Sequence, residues 1–396
     1  GQTKKFTNFI SKTFTKNSYT KIMKIVHTYI RNMGITQEGK TNTTKLLSLD
    51  RWGLTSLKKL GHDVTLVCGG LTGAKKKKEY FCKGIRIIEL PIRKEFSPTS
   101  RIIKGLAKEL MNIEADVFHA HHYGLFVPET TAIIGKIRKI PTFMTTHNTF
   151  NEMKGVRLLI QKSYVVFMQP FLQLFDGIFF ISNFIKNSKN FALVKKKRKI
   201  LLRNYVPNPP VIDIERKKNA ILYVGGVKYV KGVDLLIKAF NNIKIPNLKL
   251  NIVGSYKDHP EYQKYLTTLI KRDNVKFHGT LFGKEKWEQF YSNTILVVPS
   301  RKECFCNVVI EGMACEIPVI VSNGEALPET QGGHGLVFNL KNVSDLTKKL
   351  TLLLENKELR EKIVKEGKEY SKNFTHDKIG KEMINSYTKA IMAKKN

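Results

Sequence analysis

Two stretches in the second half of the chain carry residue types suited to holding a charged substrate. The first, residues 223–236, runs from an apolar strand into Gly225 and Gly226, and continues through Lys231 into a helix. Paired glycines let the backbone approach a ligand closely. A helix start and a lysine together favour an anion such as a diphosphate. A plain tight turn is the alternative interpretation, because a glycine-rich loop alone is a weak signal.

The second stretch places two carboxylates around the start of another predicted helix. A strand ends at Pro299, a loop carries Glu303, and the helix is expected to begin near Asn307, a favourable capping residue, with Glu311 about one turn in. Carboxylates accept hydrogen bonds from hydroxyl groups, and a helix start attracts phosphate oxygens. The spacing therefore predicts a site for a sugar, a ribose and a phosphate. The alternative is one solvated loop acid and one ordinary helix acid.

The elements that must position these residues alternate between strand and helix. In the first half we predict strands at residues 24–29, 63–68, 85–90, 116–119, 142–146 and 177–181. Helix-period stretches lie between them at residues 44–60, 99–111 and 128–139. In the second half we predict strands at residues 221–225, 248–253, 275–277, 295–298, 319–321 and 336–338. Short apolar strands separated by helices indicate parallel sheets covered on both faces.

A proline-rich segment divides this pattern into two α/β units. Residues 204–210 contain three prolines, which is typical of a linker. We predict two Rossmann-like, doubly wound parallel-sheet domains facing each other across a cleft, with the ligand at the carboxyl ends of the strands. The expected limits are a basic N-terminal extension at 1–22, an acceptor-binding domain at 23–205 and a nucleotide-sugar-binding domain at 206–375. A C-terminal helix at 376–396 is expected to cross back to the first domain.

These residues resemble the pattern of a known family, the retaining glycosyltransferases of family 4, which have the GT-B fold. The stretch from Glu303 to Glu311 is similar to the E-x7-E signature of that family, and Lys231 matches its donor-binding lysine. Further segments resemble the family in the same order along the chain, over residues 23–390. They are residues 61–64, 116–121, 146–148, 180–182, 206–208 and 323–329.

The resemblance implies roles for the residues of the second half. Lys231 would neutralise the donor diphosphate, Glu303 would bind hydroxyls of the donor sugar, and Glu311 would bind the nucleotide ribose. The glycines Gly225 and Gly226 would border the phosphates. Backbone amides would complete the donor site; they belong to Phe305, Cys306 and Asn307.

The resemblance also implies transfer without an essential metal or a cofactor. A departing diphosphate then needs a lysine and helix-end amides to stabilise its charge. In the first half, His121 would face the reacting centre, and Gly34 would lie in an acceptor loop. His147 is left open between the acceptor side and a structural role, and His119 is expected to be satisfied by local backbone.

Three positions depart from the family pattern. Gly226 stands where the family usually has arginine, and Cys306 and Glu316 stand where it usually has glycine. These departures leave open a GT-B protein that keeps the fold with impaired catalysis.

Charge and composition bear on the partners. The net charge is +35 and most of the excess lies in residues 1–205, which favours an anionic partner. Lysine runs at residues 75–78 and 195–199 could hold the enzyme on an acidic membrane, or could simply be solvated loops. The odd number of cysteines indicates reduced thiols, and with no apolar run of about 18 residues and no signal peptide we expect a cytoplasmic protein.

The function predicted from the sequence is a metal-independent, hexosyltransferase-like transfer from a nucleotide-diphosphate sugar to a lipid-linked or phospholipid acceptor, on the inner face of a membrane. A soluble sugar or glucan acceptor is the first alternative. A nucleic-acid-binding protein is another, although no recognition helix, zinc finger or RNA-binding aromatic motif is evident, so no specific nucleic acid is expected. The sequence does not predict an oligomeric state.

Overall fold

The first half of the chain forms a mixed sheet with parallel strands at its centre. The computed structural model describes residues 21–30, 49, 53–70, 75–97, 100–121, 126–147, 156–257 and 259–395. Within these ranges the first sheet has the order β10-β9-β8-β7-β1-β2-β4-β3, and only β3 runs antiparallel to its neighbour. Its strands are β1 (Lys24–Tyr29), β2 (Asp63–Gly69), β3 (Lys78–Cys82), β4 (Ile85–Leu90), β7 (Val117–His121), β8 (Thr142–Thr146), β9 (Gly177–Phe180) and β10 (Lys199–Leu201).

A small hairpin and five helices complete the described part of this half. The hairpin pairs β5 (Ile92–Ser97) with β6 (Ser100–Ile103). The helices are α1 (Leu54–Lys59), α2 (Leu106–Asn112), α3 (Val127–Ile137), α4 (Val156–Leu172) and α5 (Asn183–Lys186). The central strands are buried along nearly their whole length, as expected where helices cover both faces of a parallel sheet.

The second half forms a parallel sheet of six strands in the order β13-β12-β11-β14-β15-β16. The strands are β11 (Ala220–Val224), β12 (Lys249–Val253), β13 (Val275–Gly279), β14 (Ile295–Val298), β15 (Val319–Ser322) and β16 (Leu336–Phe338). The helices are α6 (Val233–Asn241), α7 (Pro260–Leu269), α8 (Gly283–Ser292), α9 (Asn307–Ala314), α10 (Leu327–Gln331), α11 (Val343–Glu355) and α12 (Lys357–Ser371). The order reverses between β11 and β14, the point at which such sheets bind ligands.

The predicted strands are confirmed, with ends that differ by one or two residues, and one predicted helix is partly wrong. Residues 99–111 were expected to be helical, but β6 occupies their first part and α2 begins only at Leu106. Gly105 has a φ of 80° in the left-handed region, so it separates the strand from the helix. The β-branched Ile102 and Ile103 pair with the neighbouring strand of the hairpin, where such side chains pack well.

The chain ends in a long helix, α13 (His376–Lys395), which packs on the first sheet. Its Tyr387 is fully buried and makes edge contacts with Phe143 and Phe179, at ring-centre distances of 4.9 and 6.2 Å. Ser56 of α1 donates a hydrogen bond of 2.5 Å to the carbonyl oxygen of His376. The last helix therefore ties the end of the chain to the half in which the chain begins. The predicted domain limits stay a prediction, and the extension at 1–22 lies largely outside the described residues.

The two halves meet through segments that follow the carboxyl ends of their strands. Glu329 of α10 accepts hydrogen bonds of 2.9 Å from the backbone and the side-chain amide of Asn183, at the start of α5. Asn204 donates to the side chain of Asn307 at 3.1 Å. Residues 202–217 form the connection and are neither helix nor strand. These contacts bring the carboxyl-end loops of both sheets to one cleft.

Candidate active site

An ion pair between Lys231 and Glu303 stands at the carboxyl ends of the central strands of the second sheet. The lysine ends a single helical turn after β11, and the glutamate lies in the loop after β14. Their atoms Nζ and Oε1 are 2.6 Å apart, and the hydroxyl group of Ser300 donates to the same carboxylate at 3.1 Å. The two side chains are 24% and 13% exposed, so a ligand entering the cleft can reach both.

The environment keeps the lysine charged. Burial acts to lower the pKa of the Lys231 ammonium group, but the attraction of Glu303 outweighs it, and the pKa lies above its ordinary value. A permanently positive ammonium group next to a helix start is suited to a diphosphate. The structure thus brings together Lys231 and Glu303, as the sequence predicts.

The loops that carry this pair are fixed to one another. Gly232 follows the lysine, has a φ of 70° and lies directly against the end of the strand before Glu303. A Cβ atom at this position would lie 2.0 Å from the carbonyl oxygen of Pro299. Arg301 forms an ion pair of 2.8 Å with the buried Asp234 of α6. Its guanidinium group also stacks on the ring of Tyr229, at 3.9 Å. Only glycine fits at position 232, and the cross-links hold the distance between the two loops.

The glycine pair begins where β11 ends. Gly225 has a φ of 155°, and the buried hydroxyl group of Tyr223 donates to the carbonyl oxygen of Gly226 at 2.9 Å. A Cβ atom on Gly226 would meet no atom within 4 Å, so space is open where the family usually has an arginine side chain. The loop keeps its backbone form without that second cation.

The helix α9 begins at Asn307 as predicted, but this residue does not cap it. Cys306 occupies the capping position, without a capping hydrogen bond from its side chain. The amide group of Asn307 instead donates to the carbonyl oxygen of Tyr205 in the connecting segment, at 3.3 Å, and its oxygen accepts from Asn204. The predicted cap is therefore wrong, because the side chain joins the helix start to the connection between the two halves.

The two positions at which another residue replaces the usual glycine have a left-handed backbone. Cys306 has a φ of 89° and Glu316 a φ of 58°, both in the left-handed region. Such a conformation costs an L-residue about 1–2 kcal/mol. Burial raises the pKa of the Cys306 thiol, and the nearby carboxylate of Glu303 adds to this effect, so the thiol stays neutral beside the ion pair. Phe305 before it is buried against Phe374, at a ring-centre distance of 5.7 Å.

The second acid of the motif also has a lysine partner. Glu311 is 4% exposed on α9, and its Oε2 atom is 2.7 Å from Nζ of Lys286 on α8. The same ammonium group lies 4.8 Å from the ring of Trp287. Sequence analysis missed Lys286, because no local motif marks it and its contact with Glu311 depends on the packing of two helices.

A cluster of histidine rings lies on the central strands β1 and β7 of the first sheet. His27 on β1 is in register with His119 on β7, and His121 is two residues further along β7 on the same face. The ring centres are 4.6 to 5.0 Å apart, and all three side chains are buried. Sequence analysis assigned no role to His27.

The hydrogen bonds of this cluster differ from those expected. His119 pairs with the hydroxyl group of Tyr387 and, at 2.7 Å, with that of Thr145, rather than with local backbone. His121 has Nε2 2.8 Å from Nδ1 of His27, and Nδ1 3.4 Å from Nε2 of His147. Both ring nitrogens of His121 therefore face other histidines.

The cluster borders a small pocket beside the segment that connects the two halves. His121 and His147 line it together with Thr145 and the connecting segment at Arg203. The two histidines named by the sequence are thus neighbours in one wall. Gly34, the other predicted acceptor-side residue, lies outside the described residues.

The three stacked histidines are close enough to suggest a metal site, with ligand atoms within 4.8 Å of one another. Their ring planes, however, are inclined by only 11° to 28°. The lone pairs of stacked rings lie in nearly parallel planes and do not converge on one point about 2 Å from each nitrogen, which a histidine-bound zinc requires. Nδ1 of His27 and Nε2 of His121 instead face each other at 2.8 Å.

Burial determines the charge of two rings of this cluster. It lowers the pKa of His27 to about 3 and the pKa of His119 well below its ordinary value, with a further contribution from His27 and His147. Both rings are consequently neutral at physiological pH.

Comparisons with known proteins agree with this architecture. Residues 54–188 match Glycosyltransferase Family 4, and residues 207–370 match Glycosyl transferases group 1. An uncharacterized glycosyltransferase of Methanocaldococcus jannaschii is 31% identical over 76% of this chain and 84% of its own length.

A second relative, from Campylobacter jejuni, is 25% identical over 71% of this chain and 76% of its own length. It is named N-acetylgalactosamine-N,N'-diacetylbacillosaminyl-diphospho-undecaprenol 4-alpha-N-acetylgalactosaminyltransferase. Among solved structures, Anabaena HepE in complex with UDP has a TM-score of 0.68 at 14% identity, covering 93% of this chain and 100% of its own.

The two facing α/β sheets and these similarities define the class, a two-domain glycosyltransferase of the GT-B type. Within that class, the chain belongs to the group 1 glycosyltransferases and is similar to family 4. It is a glycosyltransferase.

We predict that the buried histidines make the fold sensitive to acid. In the folded protein the pKa of His27 is about 3, whereas an unfolded histidine titrates near 6.5. The contribution to stability is therefore complete above pH 6.5 and falls as the pH drops from 6.5 towards 3, by about 1.4 kcal/mol per pH unit for each such residue. Urea unfolding at a series of pH values measures this slope. His27→Asn should reduce the slope between pH 6.5 and 5, and an unchanged slope in that variant would contradict the assignment.

Proposed function

We propose that this enzyme transfers a sugar, with retention of anomeric configuration and without a bound metal, from a nucleotide-diphosphate donor to an acceptor at a membrane surface. The main support for the donor site is the ion pair of 2.6 Å between Lys231 and Glu303, next to the start of α9. The ammonium group is suited to the anionic diphosphate of the donor, and the carboxylate is suited to the hydroxyl groups of its sugar.

In this proposal the ion pair is exchanged when the donor binds. The ammonium group of Lys231 leaves Glu303 and pairs with the diphosphate. The carboxylate of Glu303 then accepts hydrogen bonds from hydroxyl groups of the donor sugar. The first backbone N–H groups of a helix have no partner within that helix. Asn307 carries the first of these groups in α9, and the N–H groups of Phe305 and Cys306 directly precede it, so all three can stabilise the negative charge that develops on the leaving diphosphate.

The rest of the donor lies along the same edge of the second sheet. Glu311 binds the ribose, and the ion pair with Lys286 holds its carboxylate in position. Gly225 and Gly226 leave the backbone open beside the phosphates. The acceptor approaches from the first half, where His121 and His147 line a pocket beside the connecting segment.

Replacing either member of the ion pair tests this assignment. We expect Lys231→Ala and Glu303→Ala to lower donor hydrolysis and transfer at least about 100-fold, the scale found when a group that stabilises the transition state is removed. Lys284→Ala removes the same charge from an exposed position on α8 and should leave the rate nearly unchanged. Product formation from UDP-, GDP- and ADP-sugars, followed by chromatography, measures the effect. Unchanged turnover in either site variant would refute the donor site.

Attachment to a membrane is supported by exposed apolar side chains in the first half of the chain. Here α3 and α4 pack together, and Tyr164 donates a hydrogen bond of 2.7 Å to Glu129. Beyond this contact, α4 exposes Val166 and Phe167, at 71% and 58%, and α3 exposes Ile137, at 61%. We call these three side chains the α3–α4 patch.

Lysines add positive charge to the same two helices. Lys136, Lys139 and Lys162 are exposed on or beside the same two helices. Each lysine near an acidic lipid surface contributes about 1 kcal/mol, and apolar side chains add their burial in the interface. No helix in the described ranges is long and apolar enough to cross a membrane, and the patch offers attachment at the surface instead. A lipid-linked acceptor also agrees with the diphospho-undecaprenol in the name of the Campylobacter relative.

Membrane attachment is tested by flotation with vesicles that contain phosphatidylglycerol. We expect the wild type to bind, and Val166→Asp combined with Phe167→Asp to reduce binding at least about tenfold, because burial of a phenylalanine alone contributes about 1.5–3 kcal/mol. Leu352→Asp changes an exposed apolar residue in the second half and should bind as the wild type does. If the wild type does not bind these vesicles, the acceptor is a soluble sugar or glucan.

A further inference from the structure

His27 is a buried histidine that the proposed donor and acceptor roles leave unused. It is completely enclosed on β1, and its Nε2 atom has no hydrogen-bond partner among the described residues. Its other nitrogen, Nδ1, is 2.8 Å from Nε2 of His121. Since Nδ1 of His121 in turn faces Nε2 of His147, the three residues form a chain that begins in the core and ends at the pocket wall.

Such a chain has two possible proton arrangements. A neutral imidazole carries one N–H donor and one acceptor nitrogen, so each contact has one donor and one acceptor. In the first arrangement Nδ1 of His27 donates to His121, and Nδ1 of His121 donates to His147. In the second, every proton is on the other nitrogen, and the direction of donation reverses along the chain.

The buried end of the chain selects between these arrangements. In the second one, Nε2 of His27 would carry a proton with no acceptor among the described residues. In the first, the same nitrogen is only an unused acceptor. Buried N–H groups without a partner are rarer in proteins than buried acceptors without one, so the first arrangement is favoured.

We propose that His27 is a positioning residue that fixes both His121 and His147 as the tautomers protonated at Nδ1. The first arrangement places the proton of His147 on Nδ1, the ring nitrogen that does not face His121. Resting on the proposed function, this tautomer decides how the ring of His147 can meet the sugar or the acceptor. Burial opposes a positive charge on His27, so the buried end of the chain is a neutral imidazole.

The tautomers are measured directly by NMR of wild-type protein labelled with 15N in the histidine rings. Nitrogens that carry a proton and nitrogens that do not have well separated chemical shifts. Spectra of His121→Asn and His147→Asn assign the signals of these two residues by their loss. We expect Nδ1 protonated and Nε2 unprotonated in both rings, and the opposite pattern in either ring would overturn the proposal.

Two variants of His27 separate positioning from packing. His27→Leu fills the space without a donor, whereas His27→Asn can place an amide N–H near the position of Nδ1. We expect the leucine variant to lose the Nδ1 tautomer of His121 and to reduce kcat roughly tenfold, with the KM for the nucleotide-sugar nearly unchanged. The asparagine variant should restore most of kcat.

The results distinguish this inference from the donor site. If the tautomers are as predicted and change in His27→Leu, but the wild type transfers no sugar, the proposed function fails and the role of His27 in fixing the tautomers stands. If His27→Leu leaves the tautomer of His121 unchanged, His27 is only a packing residue. The wild-type spectrum decides the tautomers even if that variant does not fold.

Discussion

The contact between the ammonium group of Lys231 and the carboxylate of Glu303 is the interaction on which the rest of the site depends. The two residues are 72 positions apart in the chain, and they meet only because β11 and β14 are neighbours in the second sheet. The requirement for glycine at position 232 and the ion pair between Arg301 and Asp234 keep their loops at the needed separation. A mostly buried ion pair adds little net stability, because the desolvation of both charges offsets their attraction, so its position at a helix start is better explained by a ligand.

Parts of this arrangement could be predicted from the sequence because they are local. The apolar strands, the glycine loop with Lys231 and the two acids around the start of α9 each lie within about twenty residues of chain. The contact of His27 with His121 joins residues 94 positions apart, and that of Lys286 with Glu311 joins residues 25 positions apart. No local pattern encodes such contacts, because they follow from the order of the strands and the packing of the helices.

The wrong predictions have similar causes. The amide group of Asn307 was expected to cap its own helix, but the connecting segment competes for it. Residues 99–111 have apolar spacing compatible with a helix, and pairing within a hairpin overrides that preference for their first part. At Cys306 and Glu316 the backbone is left-handed although neither residue is glycine. The surrounding structure here imposes a conformation that the residue type disfavours. Tertiary structure therefore decides where local preference and long-range contact disagree.

A crystal structure of the protein soaked with UDP tests the central claim most directly. The account predicts that a diphosphate oxygen lies within about 3 Å of Nζ of Lys231, that the first amides of α9 point at the same group, and that the contact with Glu303 has lengthened. The ribose should lie against Glu311. Density for the nucleotide outside this cleft, or a diphosphate bound with the ion pair intact, would contradict it.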